Sequence, residues 1–460
     1  MKTCKYQECY EQAIRHFKHK IVVLDDDPTG IQTVHDVFVY TRWDKESIME
    51  AFQEDSQIFF ILTNSRGLVA GESEKIHREI AQNVVDTAKE LGVKFMLISR
   101  SDSTLRGHYP LETEVLRQVL EENGVSVDGE IIAPVFVEGG RLTIDDVHYI
   151  QEGEQLIPVG ESEFALDWTF GYKNSNLKKW IEEKSNGEFP AETVRSVTLD
   201  ELAKVQIESI VQTLASLNDF QKIILNAKSY NDIKIFAVAL IEVMNAGKNY
   251  IARSAAGLTK VLGGVKDKEL LTPKDLNLGD APGVIIIGSH VKKTTAQLEK
   301  LKEKMPHLTY LEFNVHLVLD PLAFQNEQER VKKALSTSLE KGESVVVFTS
   351  RQDFEVGSED KEDELRVAVQ ISNAVTDLVS SLKTRPGYMI AKGGITSSDV
   401  GTKGLAVRKA LVGGQVLPGV PVWIIGEESR FPDMPYIIFP GNVGSEMALA
   451  EVVQMLEGGE

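Results

Sequence analysis

The chain has 460 residues, of which 42% are hydrophobic and 26% charged, and a formal net charge of −19. That length exceeds what one hydrophobic core ordinarily serves, so a globular protein of two domains is expected. The acidic balance argues against nucleic acid or an anionic membrane surface as the main partner, and an anionic ligand would need a local cluster of Arg and Lys.

Residues 1–19 mix polar, charged and aromatic types and read as a short amphipathic helix, without the apolar core of a secretory signal. Cys4 and Cys9 are the only cysteines and have no zinc-ligand spacing, a usage that fits a cytoplasmic protein without disulfides. The apolar runs elsewhere are strand-length and too short to span a bilayer.

The first of these runs, Ile21–Leu24, delivers Asp25, Asp26 and Asp27 into the turn Pro28-Thr29-Gly30. Ligands of open α/β sheets sit beyond the carboxyl ends of the strands, where clustered carboxylates hold a divalent cation or raise one another's pKa enough to act as bases. The bland alternative is an acidic turn capping a helix. The run Ile58–Leu62 leads into Thr63-Asn64-Ser65-Arg66, and a helical pattern covers Ser73–Leu91. Phe95–Ser99 leads into Arg100-Ser101-Asp102-Ser103-Thr104-Leu105-Arg106-Gly107, ahead of a helical pattern at Thr113–Glu122. Arg offers a planar fork for a carboxylate, and Ser, Thr and Asp read sugar hydroxyls, so these turns look like recognition loops for a small polyhydroxylated anion.

Ile131–Val135 and Ile223–Leu225 are further strands, with an irregular excursion at 139–175 that carries Gly139-Gly140-Arg141. Periodicity fails in the polar stretch Gly263–Gly283, which is taken as a linker between domains at 1–262 and 284–460. Beyond it, Val284–Ile287, Tyr310–Phe313, Ser344–Phe348, Tyr388–Ala391, Val422–Ile425 and Tyr436–Ile438 repeat the pattern. The fold class is therefore α/β, with two domains that each hold a mostly parallel sheet flanked by helices.

No G-x-x-x-x-G-K-[ST] loop occurs, and no G-x-G-x-x-G follows the first strand of either half, which argues against a dehydrogenase. The second half instead has glycine turns at strand ends: Gly288-Ser289-His290, Lys392-Gly393-Gly394-Ile395-Thr396-Ser397-Ser398-Asp399, and Phe439-Pro440-Gly441-Asn442-Val443-Gly444. Turns of this kind let backbone approach phosphate at a helix N-terminus. His35, His108, His148 and His290 are too scattered for a metal site or hydrolytic triad.

Taken in order, Asp-Asp-x-Thr-Gly, Asp-Ser-Thr-Leu-Arg-Gly, the Gly-Arg near 140, Gly-Ser, Gly-Gly-x-Thr and Gly-Asn-x-Gly resemble the four-carbon acid sugar kinases over nearly the whole chain. The resemblance implies ATP-dependent phosphorylation of a tetronate such as threonate, erythronate or a 3-oxo-tetronate. The N-terminal domain would hold the acid sugar and the C-terminal domain ATP, across an interdomain cleft. It carries catalysis to Asp26 and Asp27; substrate binding to Arg66, Arg100, Ser101, Asp102 and Ser103; and nucleotide binding to Ser289, Gly393, Gly394, Ile395, Thr396 and Gly441, while Asp25 and Arg106 are added to the substrate residues, and Asn442 and Gly444 to the nucleotide residues, by their place in the same turns.

Mg2+ would accompany ATP, with Asp25, Asp26, Asp27 or Asp399 as candidate ligands. The family often has Ala at Asp25, an aromatic at Pro28, Lys at Arg100 and an acidic residue at Ile395, departures that bear on substrate identity and on the nucleotide contact. A related kinase for sugar acids of another chain length, or a non-catalytic acid-sugar sensor, are the alternative readings. The expected partners are small molecules, and the sequence leaves oligomeric state open, a homo-oligomer included.

Overall fold

The computed structural model describes residues 2–352 and 361–458. They form two compact units, Met1–Asp267 and Lys268–Glu460. No helix among the described residues is long and apolar enough to cross a membrane.

In unit 1 the strands are, in chain order, β1 (His19–Asp25), β2 (Val37–Tyr40), β3 (Ile58–Leu62), β4 (Lys94–Arg100), β5 (Gly129–Ala133), β6 (Arg141–Ile144), β7 (Val147–Glu152), β8 (Gln155–Pro158), β9 (Arg195–Val197), β10 (Gln221–Leu225) and β11 (Tyr250–Ser254). The sheet runs β2-β3-β1-β4-β11-β5-β10-β9, with all of these pairings parallel. β3 reads Ile-Phe-Phe-Ile-Leu and is buried throughout, the pattern of a strand covered on both faces. The helix Ala70–Leu91 buries Ile80, Ala81, Val84, Val85 and Ala88 along one stripe and stops at Gly92, whose φ of 66° closes the last turn. That stripe packs on Val22, Leu24, Phe59 and Leu97 of the sheet.

The excursion after β5 contains an antiparallel meander, β6-β7-β8, rather than irregular chain alone. Its Ile150 joins Tyr172 and Trp180 in a second apolar cluster with Leu105 of the turn that follows β4.

Unit 2 contains β12 (Val284–Ile287), β13 (Thr309–Phe313), β14 (Val345–Thr349), β15 (Met389–Lys392), β16 (Lys409–Leu417), β17 (Val420–Ile425) and β18 (Pro435–Phe439). The order is β13-β14-β12-β15-β18-β17-β16, parallel up to β18 and antiparallel from β18 to β16. Ile285, Ile287, Ile390 and Ile437 form its core with Leu298 and Leu301 of one helix and Leu449 and Val453 of another. Leu271 and Leu276, from the polar stretch ahead of β12, also pack into this core.

Strands absent from the sequence reading share identifiable causes. β11 carries a charged residue, Arg253, in an otherwise apolar run. β16 alternates buried and half-buried residues around a Gly-Gly pair, so it has no continuous apolar run. β2 and β9 span four and three residues.

Candidate functional site

Register places the candidate residues of unit 1 on one edge. Asp25, the last residue of β1, lies opposite Leu62 of β3 and Arg100 of β4, and Arg100 lies opposite Ser254 of β11. The turns that follow these strands therefore meet beyond the carboxyl ends.

The three consecutive aspartates have three different environments. Asp25 is closed over by the Asp27–Gly30 turn, and Arg100 Nη1 lies 3.4 Å from its Oδ1. Burial pushes the Asp25 carboxyl up to about 8 against the pull of Arg100. Asp26 is buried too, with Arg100 Nη1 3.6 Å from Oδ1 and Arg66 Nη1 4.0 Å from Oδ2, but neither carboxylate oxygen receives a hydrogen bond among the described residues. Burial raises it to about 6, outweighing both arginines. For Asp27 burial is overcome: Arg66 donates to Oδ2, and Thr29 donates its N–H to Oδ1 over 2.8 Å and its hydroxyl over 2.6 Å, which hold the carboxyl below its ordinary value.

The turn after β4 is braced from below. Arg106 Nε donates to Asp102 Oδ2 at 2.7 Å, Thr104 Oγ1 donates to the same oxygen, and Arg66 Nη1 lies 3.6 Å from Oδ1. Despite burial, Arg106 and Arg66 keep the Asp102 carboxyl well below the usual range. The backbone of this turn is held by the carbonyls of Asp102, Ser103 and Thr104, which accept from Arg253 Nη2 at 2.9 Å, His148 Nε2 at 2.8 Å and Tyr172 Oη at 2.6 Å. Ser101 Oγ donates to Glu112 Oε2 at 3.2 Å, alongside Ser99, while Ser65 donates to Oε1 at 2.6 Å. Buried Glu112 thus anchors the turns after β3 and β4 together, and Ser101 faces that anchor.

In unit 2 the glycine turns converge. Ile287 pairs with Lys392, and Lys392 with Phe439, so the turns after β12, β15 and β18 sit side by side. A Cβ on Gly288 would fall 2.2 Å from Thr396 Oγ1, and one on Gly441 would fall 2.7 Å from Ser289 Oγ. Gly393 has φ 122°, a conformation few side-chain-bearing residues adopt. Thr294 Oγ1 donates to the Gly441 carbonyl at 2.9 Å, and Lys293 Nζ to that of Asn442 at 3.1 Å. Beside this cradle is a cavity of about 230 Å³ lined by Ala368, Ile371, Val375, Ile395, Thr396 and Asp399 among others. Asp399 itself accepts from Ser372 Oγ and pairs with Lys403 at 2.8 Å.

Residues 21–262 match the model of a sugar-binding N-terminal domain, and residues 284–449 match that of a nucleotide-binding C-terminal domain. The chain belongs to the four-carbon acid sugar kinase family. It is 22% identical over 413 residues to a 3-oxo-tetronate kinase of Pseudomonas fluorescens, an alignment that covers 88% of each chain. Among solved structures it resembles a Haemophilus influenzae protein, with TM-score 0.64 and 19% identity over 95% of this chain and all of the other. A Salmonella typhimurium LT2 protein aligns at TM-score 0.64 and 18% identity over 94% and 98%. At that identity the two structures speak to the fold alone.

For this sugar-acid kinase family member, the residues expected on the substrate side fall together: Asp25, Asp26, Asp27, Arg66, Arg100, Asp102 and Arg106 form one continuous ion-pair array. Ser289, Gly393, Thr396 and Gly441 meet in the second unit, while Ile395 is 73% exposed beside the cavity. Four residues escaped the sequence reading as site candidates. Arg253 is buried, with Nε and Nη1 making no hydrogen bond among the described residues, and the same holds for Nε of Arg141. Arg351 donates to the Ser289 carbonyl and to Thr295 Oγ1 at 3.0 Å, and Lys392 lies under the glycine turns. Lys392 stands inside the glycine motif and Arg141 inside the Gly-Arg pair near 140, so both were readable there; Arg253 and Arg351 lie outside any motif.

Mg2+ is the ion such a reaction implies. Among the described residues no group of three or more His, Cys, Asp or Glu side chains is arranged to hold a metal, and Asp25, Asp27, Asp102 and Asp399 are engaged by Arg or Lys. These donors do not form a resident cage. An ion of this kind ordinarily keeps several waters and is carried by the nucleotide's phosphates, so it is treated below as part of the substrate.

Proposed function

We propose that this chain phosphorylates a hydroxyl of a four-carbon acid sugar, of the threonate, erythronate or 3-oxo-tetronate type, using ATP with its Mg2+. The carrying observation is Asp26, a buried carboxylate flanked by Arg66 and Arg100 whose two oxygens receive no hydrogen bond among the described residues. Such a group is poised to accept the proton of a substrate hydroxyl as that oxygen attacks the γ-phosphorus and the bond to the departing ADP breaks. Asp27 holds Arg66, and Asp102 holds Arg106, so each guanidinium keeps donors for the substrate carboxylate while its position is fixed. Asp25 and Arg100 form the buried floor.

On the nucleotide side, the turns carrying Ser289, Gly393 to Thr396, and Gly441 to Gly444 offer backbone N–H groups to phosphate, and the apolar cavity beside Ile395 suits a nucleobase. A kinase for sugar acids of another length is the second reading. It is favoured by Arg100, which is spent on Asp25 and Asp26 and so offers the acid less than an unpaired cation would. The cysteine usage supports a cytoplasmic enzyme acting on small molecules. The test is ADP release from ATP and Mg2+ across four- to six-carbon sugar acids, with D26N alongside. Turnover of one acid that D26N abolishes is expected. ATP affinity without turnover of any acid would make the protein a sensor.

A further inference from the structure

Beneath the glycine turns of unit 2 lies a lysine with no counter-ion among the described residues. Lys392, the last residue of β15, is fully buried, and its Nζ donates to the Pro440 carbonyl at 2.9 Å, 4.0 Å from the Phe439 ring centroid. An ammonium has three donors, and among the described residues this contact is the hydrogen bond it makes. The charged side chain that acts on it is a second cation, Lys293, on the helix Lys292–Lys304. The same residue ties the turns together. Its carbonyl accepts from Gly288 N–H at 3.3 Å and Ser289 N–H at 3.2 Å, its side chain holds the carbonyl ahead of Gly441, and the next N–H, that of Gly393, donates to Phe439 at 2.9 Å.

We propose that Lys392 is the resident cation of the nucleotide cradle: its backbone and side chain together tie the three glycine turns, and its ammonium, which has no carboxylate partner among the described residues, is complemented by the polyphosphate of a bound nucleotide, so that nucleotide binding is coupled to protonation of Lys392. The inference rests on the assignment of ATP to unit 2 made above. A buried ammonium with one acceptor and no opposite charge is costly, and nothing among the described residues cancels it. Burial, reinforced by Lys293, lowers the Lys392 ammonium to about 7, so near neutral pH the empty cradle holds a mixture of charged and neutral lysine. A polyanion at the turns favours the charged form and draws a proton from the buffer. Lys392 thus acts as a positioning residue through the turns it ties, and its charge makes affinity fall as pH rises.

The experiment is calorimetric titration of ADP into the full-length chain between pH 6 and 8.5, in buffers of different ionisation enthalpy, for wild type, K392M and K392R. The ligand's own ionisation is common to all three and cancels in the comparison. The wild type is expected to take up protons beyond K392M at pH 7.5, and its affinity to weaken roughly tenfold more than that of K392R across the range. K392M, nearly isosteric and free of the buried charge, is expected to keep its melting temperature while binding ADP about tenfold more weakly at pH 6.5. Equal proton uptake in wild type and K392M, with parallel pH profiles, would overturn the coupling while leaving the nucleotide site intact. No ADP binding by the wild type at any pH would instead overturn the assignment of nucleotide to unit 2, and this inference with it.

Discussion

A Cβ on Gly30 would stand 2.0 Å from the Asp25 carboxylate. The turn folds down so closely that Asp25 is sealed beneath it, which separates its task from that of Asp26. G30A is expected to destabilise unit 1 by about 1–3 kcal/mol through this overlap, measured by urea unfolding.

Asp25 also sets a pH slope. Its carboxyl is raised from an ordinary value of 3.8 to about 8, so the folded chain carries a proton that the unfolded chain has lost between those limits. The stabilisation is complete below about pH 4 and disappears as pH rises through about 8. Unfolding midpoints of the wild type should therefore fall from pH 6 to pH 9, and those of D25N should fall less. Parallel slopes for the two proteins would contradict the assignment.

As the proposed base Asp26 would act in its ionised form, and its carboxyl is raised to about 6. The kcat/KM of the wild type should drop on the acid side with a midpoint near that value, because protonation removes the base. D26N is expected to lose turnover by about 10²–10⁴-fold while still binding nucleotide. An acid limb centred near 4 would move the role to another group.

Arg100 Nη1 lies 3.4 Å from the Asp25 carboxyl and 3.6 Å from that of Asp26, the more readily ionised of the two. Above about pH 6, R100M leaves the ionised Asp26 with the more distant Arg66 as its counter-charge and is expected to cost about 3 kcal/mol of stability. R66M, with a side chain 23% exposed, should instead raise the KM for the acid sugar more than it lowers the melting temperature.

G288A probes the other unit. Its Cβ would fall 2.2 Å from Thr396 Oγ1, forcing two of the converging turns apart. Nucleotide affinity should weaken by at least about tenfold, the effect of ~1.4 kcal/mol, with acid-sugar affinity unchanged in separate titrations.

How far all this was readable in advance depends on chain locality. Asp25 to Gly30 and Arg100 to Gly107 are contiguous, and a strand that ends in such residues marks a candidate site, with a helix-capping turn as the alternative. The glycine turns at 288, 393 and 441 were legible for the same reason. What stayed hidden is non-local. Arg253 reaches the Asp102 and Arg106 carbonyls across about 150 positions of chain, and it sits in a strand whose charge masked its periodicity. The different fates of Asp25, Asp26 and Asp27 were equally hidden, because they turn on which oxygen a partner from β3 or β4 reaches.

The Asp102 turn is gripped by its carbonyls: Arg253, His148 and Tyr172 each bond a main-chain oxygen of residues 102–104. Main-chain oxygens are present whatever residue occupies the position. The loop's shape is thereby decoupled from its side-chain identities, and, on the proposed function, its outward residues would form a surface on which a preference for one acid over another can be rewritten one position at a time, with no rebuilding of the frame that presents them.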